Sequence, residues 1–180
     1  MTLKYSLSEN DFLQHQLFIS STSETVKKKR RNTWIMTTLV LLCLGFLFYQ
    51  SGNKFFTYYF IGLGITALFF YPLYLKSYYK KHYQKFVADT YKNCFGEEST
   101  VIFREDYVEA FDKTGESKIN YTQVEKIIEI GGYFFLRMKT GGSLIIPKRI
   151  EEVNTTRTEL QNLANKVNVM YVTDLDWKWK

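Results

Sequence analysis

Residues 26–60 read VKKKRRNTWIMTTLVLLCLGFLFYQSGNKFFTYYF. Five basic residues, 27–31, run straight into an uncharged apolar segment, which QSGNK interrupts at 50–54 before it resumes. Three kinds of segment put basic residues beside apolar ones: a cleaved secretion leader, a nucleic-acid arm and a membrane anchor. A leader has a short basic start and ends in a small-residue cleavage site. Here about thirty residues precede the apolar core, no such site follows Tyr49, and a second apolar run comes almost at once. The pattern is that of an anchor.

The first run, residues 34–49, rises roughly 24 Å as a helix, a little short of a hydrocarbon core of about 30 Å. Asn32 and Thr33 can extend it, and Trp34 and Tyr49 stand where interfacial aromatics belong. The second run, residues 55–75, rises roughly 31 Å and spans without help. Neither run carries a charge. A buried hairpin of a soluble protein is the competing expectation, but a chain of 180 residues has little mass with which to cover two such helices. Gly52 and Asn53 suit a tight turn between antiparallel helices. Gly62 and Thr66, four apart, and Gly45 are small positions that let the helices approach closely. Pro72 removes a backbone donor near the end of the second run and predicts a kink there.

Charge decides orientation. Up to Phe95 there are twelve Lys/Arg against four Asp/Glu, and ten of the twelve lie at 27–31 or 76–92. From Gly96 onward there are twelve against fourteen. A nucleic-acid-binding domain spreads basic charge over a folded face; here it borders the apolar block, so no nucleic-acid partner is expected. Lys27, Lys28, Lys29, Arg30 and Arg31 precede the first run, Lys76, Lys80, Lys81 and Lys85 follow the second, and the turn holds only Lys54. The positive-inside rule then places both termini in the cytoplasm of a multi-pass protein of the cytoplasmic (inner) membrane. Those nine residues and Trp34 are the expected contacts with the bilayer surface. Cys43 and Cys94 are too few for a disulfide framework and are read as thiols.

Beyond the second run, LKSYYKKHYQKFVADTYKNCF (75–95) repeats Leu75, Tyr79, Tyr83, Phe86 or Val87, and Tyr91 at helical spacing, which predicts a basic amphipathic stalk. After Gly96 the period shortens. STVIFRED, YVEAFD, SKINY, VEKIIEI, YFFLRMK and SLIIP are strand-like, and turn signals separate them at 104–106, 112–115, 131–132 and 140–142. Together they predict a meandering antiparallel sheet, followed by a helix over 150–167 with an extended piece near 169–172. Leu3, Tyr5 and Leu7 alternate like a strand, and a strand on the same side of the membrane can join that sheet. Ser8 caps a helix starting near Glu9, with Asp11 favourable in its first turn. The tail with Trp177 and Trp179 is either loose or touches the membrane surface.

The basic run, the hairpin closed by SGN, the exit YPLYLKSYYKKHYQKFV, and GEES, DKTGESKIN and EIGGYFFLRMKTGGSLIIPKR together resemble the YcxB-like bacterial membrane proteins. The strand block ending in IIPKR is the most specific part. The resemblance implies an integral membrane protein with a carboxy-terminal domain of pleckstrin-homology-like character. It supplies no catalytic or binding residues.

Catalytic patterns are absent from the sequence. His15 and His82 are far apart and lack neighbours at metal-ligand spacing. No GK[ST] phosphate loop or G-x-S-x-G elbow occurs. S-x-x-K occurs at Ser51/Lys54 and at Ser77/Lys80, in a tight turn and on a stalk, neither of which builds a catalytic site. Lys148 and Arg149 could meet a phosphate but are expected to be solvated. Two spans without a charged residue and with one peripheral proline offer little transport path short of oligomerisation.

The expectation is therefore an α+β membrane protein, not an enzyme and without cofactor or metal. Its parts are a strand, helix and basic segment (1–31), a transmembrane helical hairpin (32–75), a stalk (76–95) and a cytoplasmic antiparallel-sheet domain with a C-terminal helix (96–180). Its partners are the lipid bilayer and a membrane or cytoplasmic protein, with a homo-oligomer left open. The alternative is a lipid-responsive sensor that reads anionic headgroups through stalk and domain.

Overall fold

The structure is a computed structural model that describes residues 1–113 and 115–179. In chain order it runs β1 (Thr2–Ser6), α1 (Glu9–Thr22), α2 (Glu24–Gln50), α3 (Lys54–Thr90), β2 (Glu98–Phe103), β3 (Tyr107–Asp112), β4 (Gly115–Asn120), β5 (Val124–Ile130), β6 (Tyr133–Met138), β7 (Ser143–Pro147), α4 (Val153–Lys166) and β8 (Met170–Asp174). The class is α+β. Two compact units emerge: Met1–Gln16 with Phe86–Trp179, and Leu17–Lys85.

The first unit is a β domain. One sheet has the order β1-β2-β3-β4, antiparallel throughout. The other has the order β7-β6-β5-β8, in which β5 and β8 run parallel. The amino-terminal strand therefore does join the later strands: Thr2 pairs with Ile102 and Ser6 with Glu98. The single antiparallel meander expected from the turn signals is corrected in two ways. The chain breaks into two sheets at a 3₁₀ turn, Tyr121–Gln123, and the extended piece near 169–172 becomes the parallel edge strand β8.

Period-two alternation fixes which faces are buried. Leu3 and Tyr5 point inward from β1, between exposed Thr2, Lys4 and Ser6. They join Val101, Val108, Ile127, Phe134, Leu136 and Ile146 in one core. Helix α4 covers that core with Thr156, Leu160, Leu163 and Ala164, a stripe at helical spacing. Asn168 ends the helix in the left-handed region at φ 53 and turns the chain into β8. β4 is an edge strand with no buried residue.

The second unit is helical. Helices α2 and α3 are both long and apolar enough to cross a membrane. Gly52, at φ 74, closes the turn between them. The Phe48 and Phe60 rings stack at 5.4 Å, and the Thr37 hydroxyl lies 3.5 Å from that of Tyr71. A Cβ on Gly45 would stand 2.8 Å from Ile61 Cγ1, and one on Gly64 2.7 Å from Leu42 Cδ2. Gly62, singled out from the sequence, faces open space instead. Span and stalk are one helix: α3 continues for 37 residues through Pro72 and ends at Thr90, short of the expected 95.

Candidate functional site

The expected bilayer contacts all lie in the helical unit. Lys27, Lys28, Lys29, Arg30, Arg31 and Trp34 occupy the early turns of α2, and Lys76, Lys80, Lys81 and Lys85 the part of α3 beyond Pro72. Arg30 and Trp34 are half-buried and the other eight are exposed. The hairpin brings the two groups to one end. The Arg30 guanidinium sits 5.7 Å over the Tyr79 ring, and Lys27, Arg30, Arg31 and Trp34 share a hollow of about 250 Å³ with Pro72 and Leu75. Lys27 also meets Glu24 at 2.8 Å. Basic heads beside apolar and aromatic walls suit phosphate and acyl groups together.

The β domain holds two carboxylates at its interior, and their partners are the surprise of IIPKR. Asp11, 1% exposed, accepts from the Ser8 backbone N–H at 2.6 Å and the Ser8 hydroxyl at 2.8 Å. It also accepts from the Tyr133 hydroxyl at 2.7 Å and from two nitrogens of Arg149, at 2.8 and 2.6 Å. Burial pushes this carboxyl up, but the bonds from Arg149, Ser8 and Tyr133 outweigh it and hold it well below the usual range. Glu129, 3% exposed, accepts from Lys148 at 2.7 Å, Arg157 at 2.9 Å and the Tyr171 hydroxyl at 2.6 Å. Burial again pushes up, and the bonds from Arg157, Lys148 and Tyr171 bring it down to about 2.

Lys148, largely covered, and Arg149, whose side chain is half-exposed, are thus both committed to acids rather than free for a phosphate. Each neutralises a buried acid, and together they tie α1, β5, β6, α4 and β8 to the end of β7. Sequence spacing hid this, because Asp11 and Arg149 lie 138 residues apart. One local signal existed: Glu129 stands inside the apolar stretch IIEI, where a charge requires a partner.

A cleft of about 380 Å³ opens in the same domain, lined among others by Tyr5, Phe12, Tyr91, Glu116 and Leu144. Ser143 also lines it, and its hydroxyl is buried without a hydrogen-bond partner among the described residues. The Ser51 hydroxyl donates to Leu47 O at 3.0 Å, the role of a turn residue rather than a nucleophile. Cys43 and Cys94 are free thiols. Among the described residues no three His, Cys, Asp or Glu side chains cluster as metal ligands would.

Residues 103–155 match the family model described as YcxB-like protein. The match runs from the end of β2 into α4 and includes Glu129, Tyr133, Lys148 and Arg149, but neither Asp11 nor the helical hairpin. The chain carries a YcxB-like domain in its carboxy-terminal half. No curated protein and no solved structure matches it.

Proposed function

We propose that this chain is a membrane-tethered interaction module. The hairpin of α2 and the first part of α3 crosses the cytoplasmic membrane twice, and both termini and the β domain stay in the cytoplasm, where the domain binds a protein partner. One observation carries the anchoring. The whole helical excursion is inserted between two strands that pair with each other: Ser6 faces Glu98, and Leu7 O accepts from the Gly96 N–H at 2.9 Å. A chain that must return to its point of departure suits an even number of crossings. Two further features agree. Only 11% of each apolar stretch is buried, whereas a soluble protein's core helix is mostly covered. The basic residues gather at one end of the hairpin, the end that the positive-inside rule keeps in the cytoplasm.

Four antiparallel strands, three more and a covering helix support a pleckstrin-homology-like architecture, with β8 added. The protein-binding role rests on charge and edges. From Gly96 onward twelve Lys/Arg face fourteen Asp/Glu, so attraction to anionic lipid falls to the hairpin and stalk. The domain instead offers β4 as an unpaired edge, which can accept a peptide strand. The second reading, a sensor of anionic headgroups, draws on the basic end of the hairpin.

A photo-crosslinker at Glu116 on β4, in the full chain in intact cells, tests the partner. A discrete protein adduct at Glu116, absent when the crosslinker sits at Gln161 on the outer face of α4, is the expected result. Adducts at neither position, or lipid adducts at Glu116, would contradict it.

A further inference from the structure

Below the basic hollow the hairpin carries a second depression, a groove of about 410 Å³. Thr38, Leu42, Phe46 and Leu68 line it, and Trp34 lines both the groove and the hollow above. The two adjoin at Trp34: the hollow has a cationic lining at the end of the hairpin, the groove an apolar one along its length. Two polar groups at the junction lack partners among the described residues, the Trp34 indole Nε1 and the Thr38 hydroxyl. Thr38 is 7% exposed. Other threonines of these helices satisfy themselves: Thr33, Thr57 and Thr66 donate to the carbonyl four residues back, at 2.9, 2.9 and 2.8 Å. Thr38 does not.

We propose that hollow and groove form a site for a single anionic phospholipid, an inference that rests on the hairpin crossing a membrane. The phosphate lies among Lys27, Arg30 and Arg31, and one acyl chain follows Leu42, Phe46 and Leu68. Between them the ester carbonyls meet Trp34 and Thr38, one helical turn apart, about 6 Å along the axis. An indole N–H donates only, so the occupant must present an acceptor at this depth. A hydrocarbon chain has none, whereas a diacyl lipid carries ester carbonyls between its phosphate and its tails. Both donors are buried among the described residues, so on this proposal each side chain turns to meet its carbonyl. Lys27, Arg30 and Arg31 together select for a headgroup without a compensating amine.

The test uses the full chain with Trp177→Phe and Trp179→Phe, so that Trp34 is the sole tryptophan. It is placed in phosphatidylcholine vesicles containing brominated-acyl phosphatidylglycerol or, at equal mole fraction, brominated-acyl phosphatidylcholine. Bromine quenches an indole that it touches. The site predicts excess quenching by the anionic lipid, equivalent to a roughly threefold or greater local enrichment. The excess should persist in high salt, where a diffuse counter-charge layer shrinks to a few ångströms. It should fall with Arg31→Gln and with the charge-neutral Thr38→Val, and soluble glycerol phosphate should not compete.

Equal quenching by both lipids overturns the site but leaves the inserted hairpin standing. So does an excess that salt abolishes and Thr38→Val leaves intact, which marks a diffuse lipid layer. Competition by glycerol phosphate marks a free-phosphate site and overturns the lipid. Quenching by neither lipid contradicts membrane insertion itself, and the proposal falls with it.

Discussion

At the residue scale, the domain depends on two acids that cannot be stranded. Removing one partner of a buried pair typically costs about 3–5 kcal/mol, because a charge remains without compensation. Arg149→Ala should cost about that much, discounted toward 2–3 kcal/mol because half of the Arg149 side chain is exposed. Asp11→Asn/Arg149→Gln together should cost less than the two singly, as a double-mutant cycle of domain unfolding would record. Additive losses would mean that the pair is not coupled. Acid sensitivity follows from the same interior. Burial first, and then the charge of Arg137, hold His15 down from 6.5 to about 4. Between those values the unfolded chain takes up a proton that the folded domain refuses, so stability is lost as pH falls from about 6.5 to about 4, by at most about 3 kcal/mol. Glu129, held below its usual 4.5, adds a second loss below that value. Hydrogen exchange of β5 and β6 across this range should show both limbs, and His15→Leu should flatten only the upper one.

At the scale of elements, the hairpin meets at its glycines. Gly45→Val should drive a side chain into Ile61 and destabilise the helix pair by about 1–3 kcal/mol. Gly62→Val, facing open space, should stay within about 0.5 kcal/mol. Unfolding of the full chain in mixed micelles, followed by helicity, measures both, and equal effects would contradict this packing. The contrast also marks how far the sequence can be read. Alternation in LKYSL, the β-branched run in VEKIIEI, and the glycine turns at 131–132 and 140–142 announce strands because those signals are local. The separation into two sheets was hidden, since a 3₁₀ turn at Tyr121 looks like any break between strands. Which glycine faces the partner helix depends on the register across the turn, which composition does not encode. The pairing of the lysine and arginine of IIPKR is hidden for the same reason: their acids come from elsewhere in the chain. The basic groups at 27–31 and 76–85 stand out in the sequence because their spacing from the apolar runs is itself the signal.

At the scale of the molecule, the organising feature is an insertion. Two neighbouring strands of one sheet are separated in sequence by everything from α1 to α3, and the β domain closes only when both ends of that excursion return. On the proposed anchoring, the domain's two parts cannot lie on opposite sides of a bilayer without unpairing β1 from β2. The most direct test is Gly52→Cys, in the turn between α2 and α3, with Cys43 and Cys94 replaced by serine. Gln161→Cys, on α4 in the same background, serves as the counterpart. In intact cells an impermeant thiol reagent should label the Gly52→Cys variant and leave the Gln161→Cys variant untouched until the membrane is broken. Labelling of the Gln161→Cys variant in intact cells, or of the Gly52→Cys variant only after lysis, would contradict the account.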